Sequence, residues 1–270
     1  MIPHDYHIHT RFSADSSASM EEMCEVAVAR GIPEIGFAEH YDLHPDENQR
    51  DWLDLDRWAG ELEACRARYA GRLTIRAGIE AGEPHLFADA VRDISTRYPF
   101  DYILGSLHWV GRENVFFPGY FVRTQEAAFR MYFEELEQVT RVGEFDILAH
   151  FDIPIRAGFQ YHGSYDPSNF ESLIRPILRN CIERQIAIEI NTGSLRRSAA
   201  VLNPGPPILH WYAEMGGKHL TLGSDSHHPQ HVGAGLDVAL AAAKEAGLKH
   251  LTRFEGRAGR LMSLDAEPSV

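Results

Sequence analysis

Short apolar runs alternate along this chain with longer segments whose apolar positions recur at helical spacing. The first run, about Asp5 to His9, reads as a strand; side chains two apart share a face, so His7 and His9 project together and Ile8 turns into packing. Ser19-Met20-Glu21-Glu22 has the form of a capping box, opening a helix that runs to Arg30 and stops at Gly31. Pro33–Ala38 predicts strand two, running into Glu39-His40. After a polar loop, Tyr41 to Asp51, a helix over Leu55–Ala70 stops at Gly71, and Arg72–Glu80 predicts strand three. A helix over Pro84–Arg97 leads to strand four, Tyr102–Leu107, which ends at His108. Trp109–Arg123, rich in Gly and Phe, reads as a loop over one end of the fold. Thr124 caps a helix ending before Gly143, and Phe145–Ala149 predicts strand five, ending at His150. A loop then continues to about Pro167. Beyond it follow a helix over Asn169–Arg184, strand six at Ile186–Ile190, a helix over Pro206–Met215 and strand seven at His219–Leu222. A helix over Leu236–Ala246 and a short tail strand at Leu251–Phe254 complete the pattern.

Regular β-α alternation implies parallel strands with right-handed helical crossovers. Seven such units point to an α/β closed or nearly closed barrel, with an open doubly wound sheet as the alternative. No Gly-x-Gly-x-x-Gly follows strand one, which disfavours a dinucleotide-binding sheet. At 270 residues, with no internal repeat or linker, one domain spanning 1–270 is expected. The charge balance, 26 basic against 39 acidic residues or −13, argues against nucleic acid or an anionic membrane as partner. Cys24, Cys65 and Cys181 form no Cys-x-x-Cys pair and are expected as free buried thiols. The start of the chain carries no signal pattern, and no apolar run reaches membrane-span length, so a soluble cytoplasmic protein is expected, with room left for a homo-oligomer.

Placed on this frame, the histidines and acids gather. His7 and His9 end strand one, His40 strand two, Glu80 strand three, His108 strand four and His150 strand five, while Asp225 and His227 follow strand seven. In a β/α barrel these ends meet on the face that carries active sites. A lone histidine at a strand end is most often a structural hydrogen-bonding residue; eight such residues converging on one rim point to metal. Counting about four ligands per ion, His7, His9, Glu80, His108, His150 and Asp225 suffice for two ions with Glu80 bridging. His40, His227 and Asp15 remain for a third.

His-x-His in strand one, Ala-Glu-His40, Gly-Ile-Glu80, Ser-Leu-His108, Ala-His150 and Gly-Ser-Asp225-Ser-His227 resemble, in order, the motifs of the polymerase and histidinol phosphatase (PHP) family. Length and layout are most like its histidinol-phosphate phosphatases. The resemblance implies a distorted seven-stranded TIM-like barrel with its metal site at the C-terminal strand ends, and two to three divalent transition ions: zinc, iron or manganese. It places the first ion on His7, His9, Glu80 and Asp225, the second on Glu80, His108 and His150, and the third on Asp15, His40 and His227. Catalytic roles are expected at Glu80, Asp225 and His227. Asn191-Thr192-Gly193-Ser194-Leu195-Arg196-Arg197 resembles a family segment with Gly and Ser in swapped order, and Arg156 follows strand five; Arg156, Arg196 and Arg197 are thus expected to grip phosphate, with one of the last two merely solvated. The implied substrate is a small phosphate ester, L-histidinol phosphate, with Glu39, Asp42, Asp46 and Asp152 as acids and Tyr41, Phe159 and Tyr161 as aromatic walls for its cationic end. The rivals are a nucleotide phosphoesterase of the same family, an amidohydrolase, which commonly uses a bridging lysine absent from these strand ends, and a non-enzymatic metal-binding scaffold.

Overall fold

The computed structural model of the protein describes residues 2–264; Met1 and residues 265–270 of the expected 1–270 domain lie outside the described residues. In chain order the elements are β1 (Asp5–Ile8), α1 (Met20–Ala29), β2 (Glu34–Tyr41), α2 (Leu55–Arg68), β3 (Thr74–Gly82), α3 (Ala88–Arg97), β4 (Tyr102–Ser106), β5 (Trp109–Val110), β6 (Glu113–Asn114), α4 (Gln125–Val142), β7 (Ile147–Leu148), α5 (Pro154–His162), α6 (Glu171–Arg184), β8 (Ala187–Asn191), α7 (Pro206–Glu214), β9 (Leu220–Gly223), α8 (Leu236–Glu245), β10 (His250–Glu255) and β11 (Ala258–Ser263). Seven of the strands form one parallel sheet in the order β1-β2-β3-β4-β7-β8-β9. A parallel bridge joins Ile8 to Ser226: His9 N donates to Ser226 O at 2.8 Å, and Ser226 N donates to His7 O at 3.1 Å. The sheet therefore comes close to closing on itself, and the expected barrel is the observed one. The capping box at Ser19 and Glu22 is present as read.

Four local expectations are corrected. The stretch after His150 is not loop throughout: α5 starts with Pro154 at its first turn and buries Ile155 and Gly158. Its Pro and Gly content masked a helix short enough to live on tertiary packing. Strand five is only Ile147–Leu148, and Trp109–Arg123 contains the small β5–β6 hairpin and a 3-10 turn at Pro118–Phe121. The tail forms a two-stranded hairpin, β10 paired to β11, because Gly256 and Arg257 both take positive φ, as a tight primed turn demands.

That hairpin closes the N-terminal end of the barrel. Phe254 packs with Tyr6 and Tyr102 inside it, and Tyr102 Oη donates to Tyr6 O at 2.6 Å. The Tyr102 ring fits there because Gly36 and Gly78, on β2 and β3, have no Cβ to meet it. Aromatic rings plug this end of the barrel. Among the described residues no helix is long and apolar enough to cross a membrane.

His4 sits at the plugged end, 1% exposed, stacked on Tyr6 and accepting from Leu222 N at 3.2 Å. Burial is the main cause that lowers its pKa to about 4; Glu34 opposes and Arg253 assists. A depressed folded-state value means the unfolded chain binds the proton first, so this contribution to stability is present above pH 6.5 and lost as pH falls through about 4. Urea unfolding should show the wild type losing about 3 kcal/mol more than His4→Gln between pH 7 and 4, at about 1.4 kcal/mol per unit. Equal losses in the two proteins would show that His4 titrates normally in the fold.

Candidate metal centre

β1 delivers His7 and His9 to the rim on one face, as its alternation requires, both fully buried. Glu80, near the end of β3, stands between them and the other histidines. Its Oε1 is 2.8 Å from His150 Nε2 and 3.4 Å from His108 Nε2. Its Oε2 is 2.9 Å from His40 Nδ1, 3.4 Å from His7 Nε2 and 3.6 Å from His9 Nε2. Asp225 Oδ1 lies 3.6 Å from His9 Nε2 and 3.5 Å from His227 Nδ1. Asp15 Oδ2 reaches His227 Nε2 at 2.8 Å and His40 Nε2 at 3.6 Å. All nine residues read from the sequence as ligands are brought together; His150 and Asp225 reach the cluster with positive φ.

A buried polar atom normally has a hydrogen-bond partner. Here His7 Nε2, His9 Nε2, His40 Nδ1 and Glu80 Oε2 are buried and have none. Ligand atoms converging without hydrogen-bond partners fit a divalent cation, and four triplets lie within ligand reach: His7-His9-Asp225, His7-Glu80-His150, His9-His40-His227 and His40-Asp42-His108. The triplets share members, so the rim can hold more than one ion. The sharing also differs from expectation, since His7 groups with His150, while Asp42 joins His40 and His108.

Electrostatics follow the same map. Burial resists ionising Glu80, but His7, His40 and His108 outweigh it and hold the carboxyl well below its usual range. Asp225 is held low against burial by Arg156, His7 and His227. Burial disfavours charge on His108, yet Asp42 and Glu80 lift it to about 10. His7 and His40 rise for the same reason, whereas burial lowers His9, helped by repulsion from His227, His40 and His7, and lowers His150. Protons and divalent ions compete here for the same atoms.

The arginines divide their work. Arg156, in the first turn of α5, places Nη2 2.5 Å from Asp225 Oδ2 and 3.3 Å from Asn191 Oδ1. It can come so close because Gly193 has no Cβ to collide with it. Arg196 turns inward and donates to the carbonyls of Ser224 (2.6 Å) and Asp225 (3.0 Å), bracing the loop that carries Asp225. Arg197 is exposed at the cavity wall. A cavity of about 390 Å³ opens over the cluster, lined on one side by Arg156 and Arg197 and on the other by Asp42, Glu47, Phe116 and Phe117.

Several expected pocket residues lie elsewhere. Glu39 is buried and accepts from Thr10 and Ser13. Asp152 accepts from Tyr165 Oη at 2.5 Å and Asn203 Nδ2 at 2.7 Å, and Asp46 pairs with Arg112. Tyr41, Phe159 and Tyr161 do not line the cavity, and Tyr161 stacks on Phe121. Sequence reading missed Glu47, Phe116 and Phe117, hidden in loops, and Glu189, whose Oε1 lies 2.7 Å from His7 Nδ1. An acid inside the otherwise apolar run Ile186–Ile190 was the signal for Glu189.

A parallel barrel plugged at one end, with imidazoles and carboxylates gathered at its C-terminal rim, defines the class of α/β barrels built to hold metal ions beside a small ligand. The PHP domain family profile matches residues 5–193. This chain belongs to the PHP domain family. It is 30% identical, over 91% of its length and 94% of the relative's, to a protein of Clostridium acetobutylicum described as a probable histidinol-phosphatase. It is 28% identical to the histidinol-phosphatase of Lactococcus lactis subsp. lactis, over 93% of this chain and 94% of that one. The crystal structure of histidinol phosphate phosphatase from Lactococcus lactis subsp. lactis, in complex with zinc, L-histidinol and phosphate, matches with a TM-score of 0.88 at 27% identity, covering 96% of this chain and 99% of that one.

Proposed function

We propose that this protein is a metal-dependent phosphomonoesterase that hydrolyses L-histidinol phosphate to L-histidinol and phosphate. The observation that carries the reading is the full-length match to a barrel crystallised with zinc, L-histidinol and phosphate. The ligand assignment is His7, His9, Glu80 and Asp225 for one ion, Glu80, His108 and His150 for a second, and Asp15, His40 and His227 for a third, with zinc, iron or manganese as the occupants. Buried ligand atoms without hydrogen-bond partners support it. Bound divalent ions would supply Lewis-acid neutralisation of phosphoryl charge and acidify water.

The chain's own residues do the rest. Glu80 and Asp225 enter as carboxylates, already ionised by their surroundings. Arg156 is held in the wall by Asn191 and Asp225, so its guanidinium is positioned before substrate arrives and costs little to reorganise. Arg197 supplies a second cation on the same side of the cavity. His227, tied to Asp15, lines the rim beside the two arginines. Glu47 gives the cationic half of the substrate its counter-charge, with Phe116 and Phe117 as its wall.

Phosphate release from L-histidinol phosphate by the zinc- or manganese-loaded protein is the direct test; no turnover with either metal sinks the reading. Arg197→Ala should lower kcat/KM roughly 10–1,000-fold, the range of one strong charge-assisted contact, with metal content unchanged. Wild-type kinetics in both Arg197→Ala and Arg156→Ala would mean that phosphate is not held by arginine.

A further inference from the structure

We propose that Glu189 is a positioning residue that dictates which nitrogen of His7 is offered to the rim, an inference that rests on His7 being a metal ligand. Glu189 lies in β8 and is 1% exposed. Its Oε1 is 2.7 Å from His7 Nδ1. Its Oε2 accepts from His150 N at 2.9 Å and from Asn191 Nδ2 at 3.0 Å. Gly223 makes this seat possible, because a Cβ there would run into Glu189 Oε1 and His7 Cβ.

The shorter contacts set the direction of each link: Asn191 Nδ2 lies 3.0 Å from Glu189 Oε2 but 3.5 Å from His7 Nδ1, which is itself 2.7 Å from Glu189 Oε1. The His150 backbone N–H can only donate. The Asn191 amide is oriented by Gly193 N at 2.8 Å and Arg156 Nη2 at 3.3 Å, which both give protons to its Oδ1, so its Nδ2 also donates to Glu189. A carboxylate only accepts, so His7 Nδ1 carries the proton and Nε2 presents its lone pair. That Nε2 is buried without a hydrogen-bond partner. One carboxylate thus holds the ring of His7, the strained backbone of His150 and, through Asn191, the phosphate-side Arg156.

Glu189→Gln is the informative variant because it is isosteric and wrong in one atom. Two donors converge where Oε2 stands, so the amide oxygen must go there. The NH₂ then faces His7 Nδ1 and donates to it, moving the ring proton to Nε2, where it blocks the ligand position. Glu189→Ala removes the carboxylate without installing a donor. In the full-length zinc-loaded protein, chelator competition should show zinc binding weakened roughly 10–100-fold or more in the Gln variant, and by more than in the Ala variant. A carboxylate needed only for charge or packing ranks the two the other way. The Nδ1–H resonance of His7, expected in the zinc-loaded wild type by nitrogen-edited NMR, should vanish in the Gln variant. If the Ala variant does not fold, affinity and this resonance in the Gln variant decide alone. Wild-type zinc affinity in Glu189→Gln, or a weaker Ala than Gln variant, overturns the proposal. No substrate enters these measurements, so they stand apart from a failed phosphatase assay, and unchanged zinc affinity in His7→Ala would separately remove the premise.

Discussion

Glu80→Gln should strip the protein of at least one metal ion per chain and lower kcat/KM by about a thousandfold or more, since the ions are worth several kcal/mol of charge stabilisation at about 1.4 kcal/mol per decade. The reason is its position: two oxygens face five imidazoles, Oε1 toward His108 and His150, Oε2 toward His7, His9 and His40. An amide of the same shape loses the negative charge and turns one of the two ligand atoms into a donor. Whichever way the amide flips, one group of histidines meets an N–H. Other single replacements, such as Asp15→Asn at the half-exposed edge, touch fewer partners and should cost less. The fold itself should survive, because glutamine fills the same buried volume and His7, His40 and His108, whose pKa values Glu80 raises, can release protons once its charge is gone. Elemental emission on purified and reconstituted protein, beside kinetics, measures both effects. A full metal complement with retained activity would remove Glu80 from the centre of the site.

The sequence made the rim legible because barrel topology turns a one-dimensional pattern into a place. Every strand end points to one face, so His7, His9, His40, Glu80, His108 and His150 could be gathered without coordinates, and all of them meet. Strand period did the same for Ile8, which packs at 0% exposure. What stayed hidden depends on loops or on partners distant in sequence. Asp42 reaches His108 at 3.2 Å only because β2 and β4 both flank β3. Glu39 looked like a pocket acid from its place beside His40, yet strand alternation sends it to the other side, to Thr10 and Ser13. Arg196 and Arg197, adjacent in sequence, diverge in role because the turn they occupy aims one at carbonyls and the other at solvent. The substrate wall is a tertiary product: His44 stacks on Trp109 at 4.4 Å, Asp46 pairs with Arg112, and the two loops so joined present Glu47, Phe116 and Phe117 to the cavity. No local pattern announces that pairing.

That wall sets the last expectation, a kcat/KM for L-histidinol phosphate roughly 10⁴–10⁵-fold above that for phosphate esters lacking the amine and imidazole, the discrimination typical of sites whose buried polar groups go unpaired with the wrong ligand. The phosphate end cannot supply this selectivity, since arginines and metal ions treat every monoester alike. Asp42 is already paired with His108 at 3.2 Å, so Glu47 is the acid of the cavity wall that an uncharged leaving group would leave desolvated without a counter-charge. Phe116 and Phe117 add flat apolar surface on which an imidazole can stack, and Phe117, 57% exposed, stands at the mouth where covering by substrate removes it from water. Glu47→Gln should therefore raise KM for histidinol phosphate and leave p-nitrophenyl phosphate turnover nearly unchanged, which separates recognition from chemistry. The comparison to run is histidinol phosphate against p-nitrophenyl phosphate, glycerol phosphate and nucleoside monophosphates on one metal-loaded preparation. If a nucleoside monophosphate is turned over as well as or better than histidinol phosphate, the acidic wall reads a base rather than an amine, and the enzyme is a nucleotide phosphoesterase with the same metal rim.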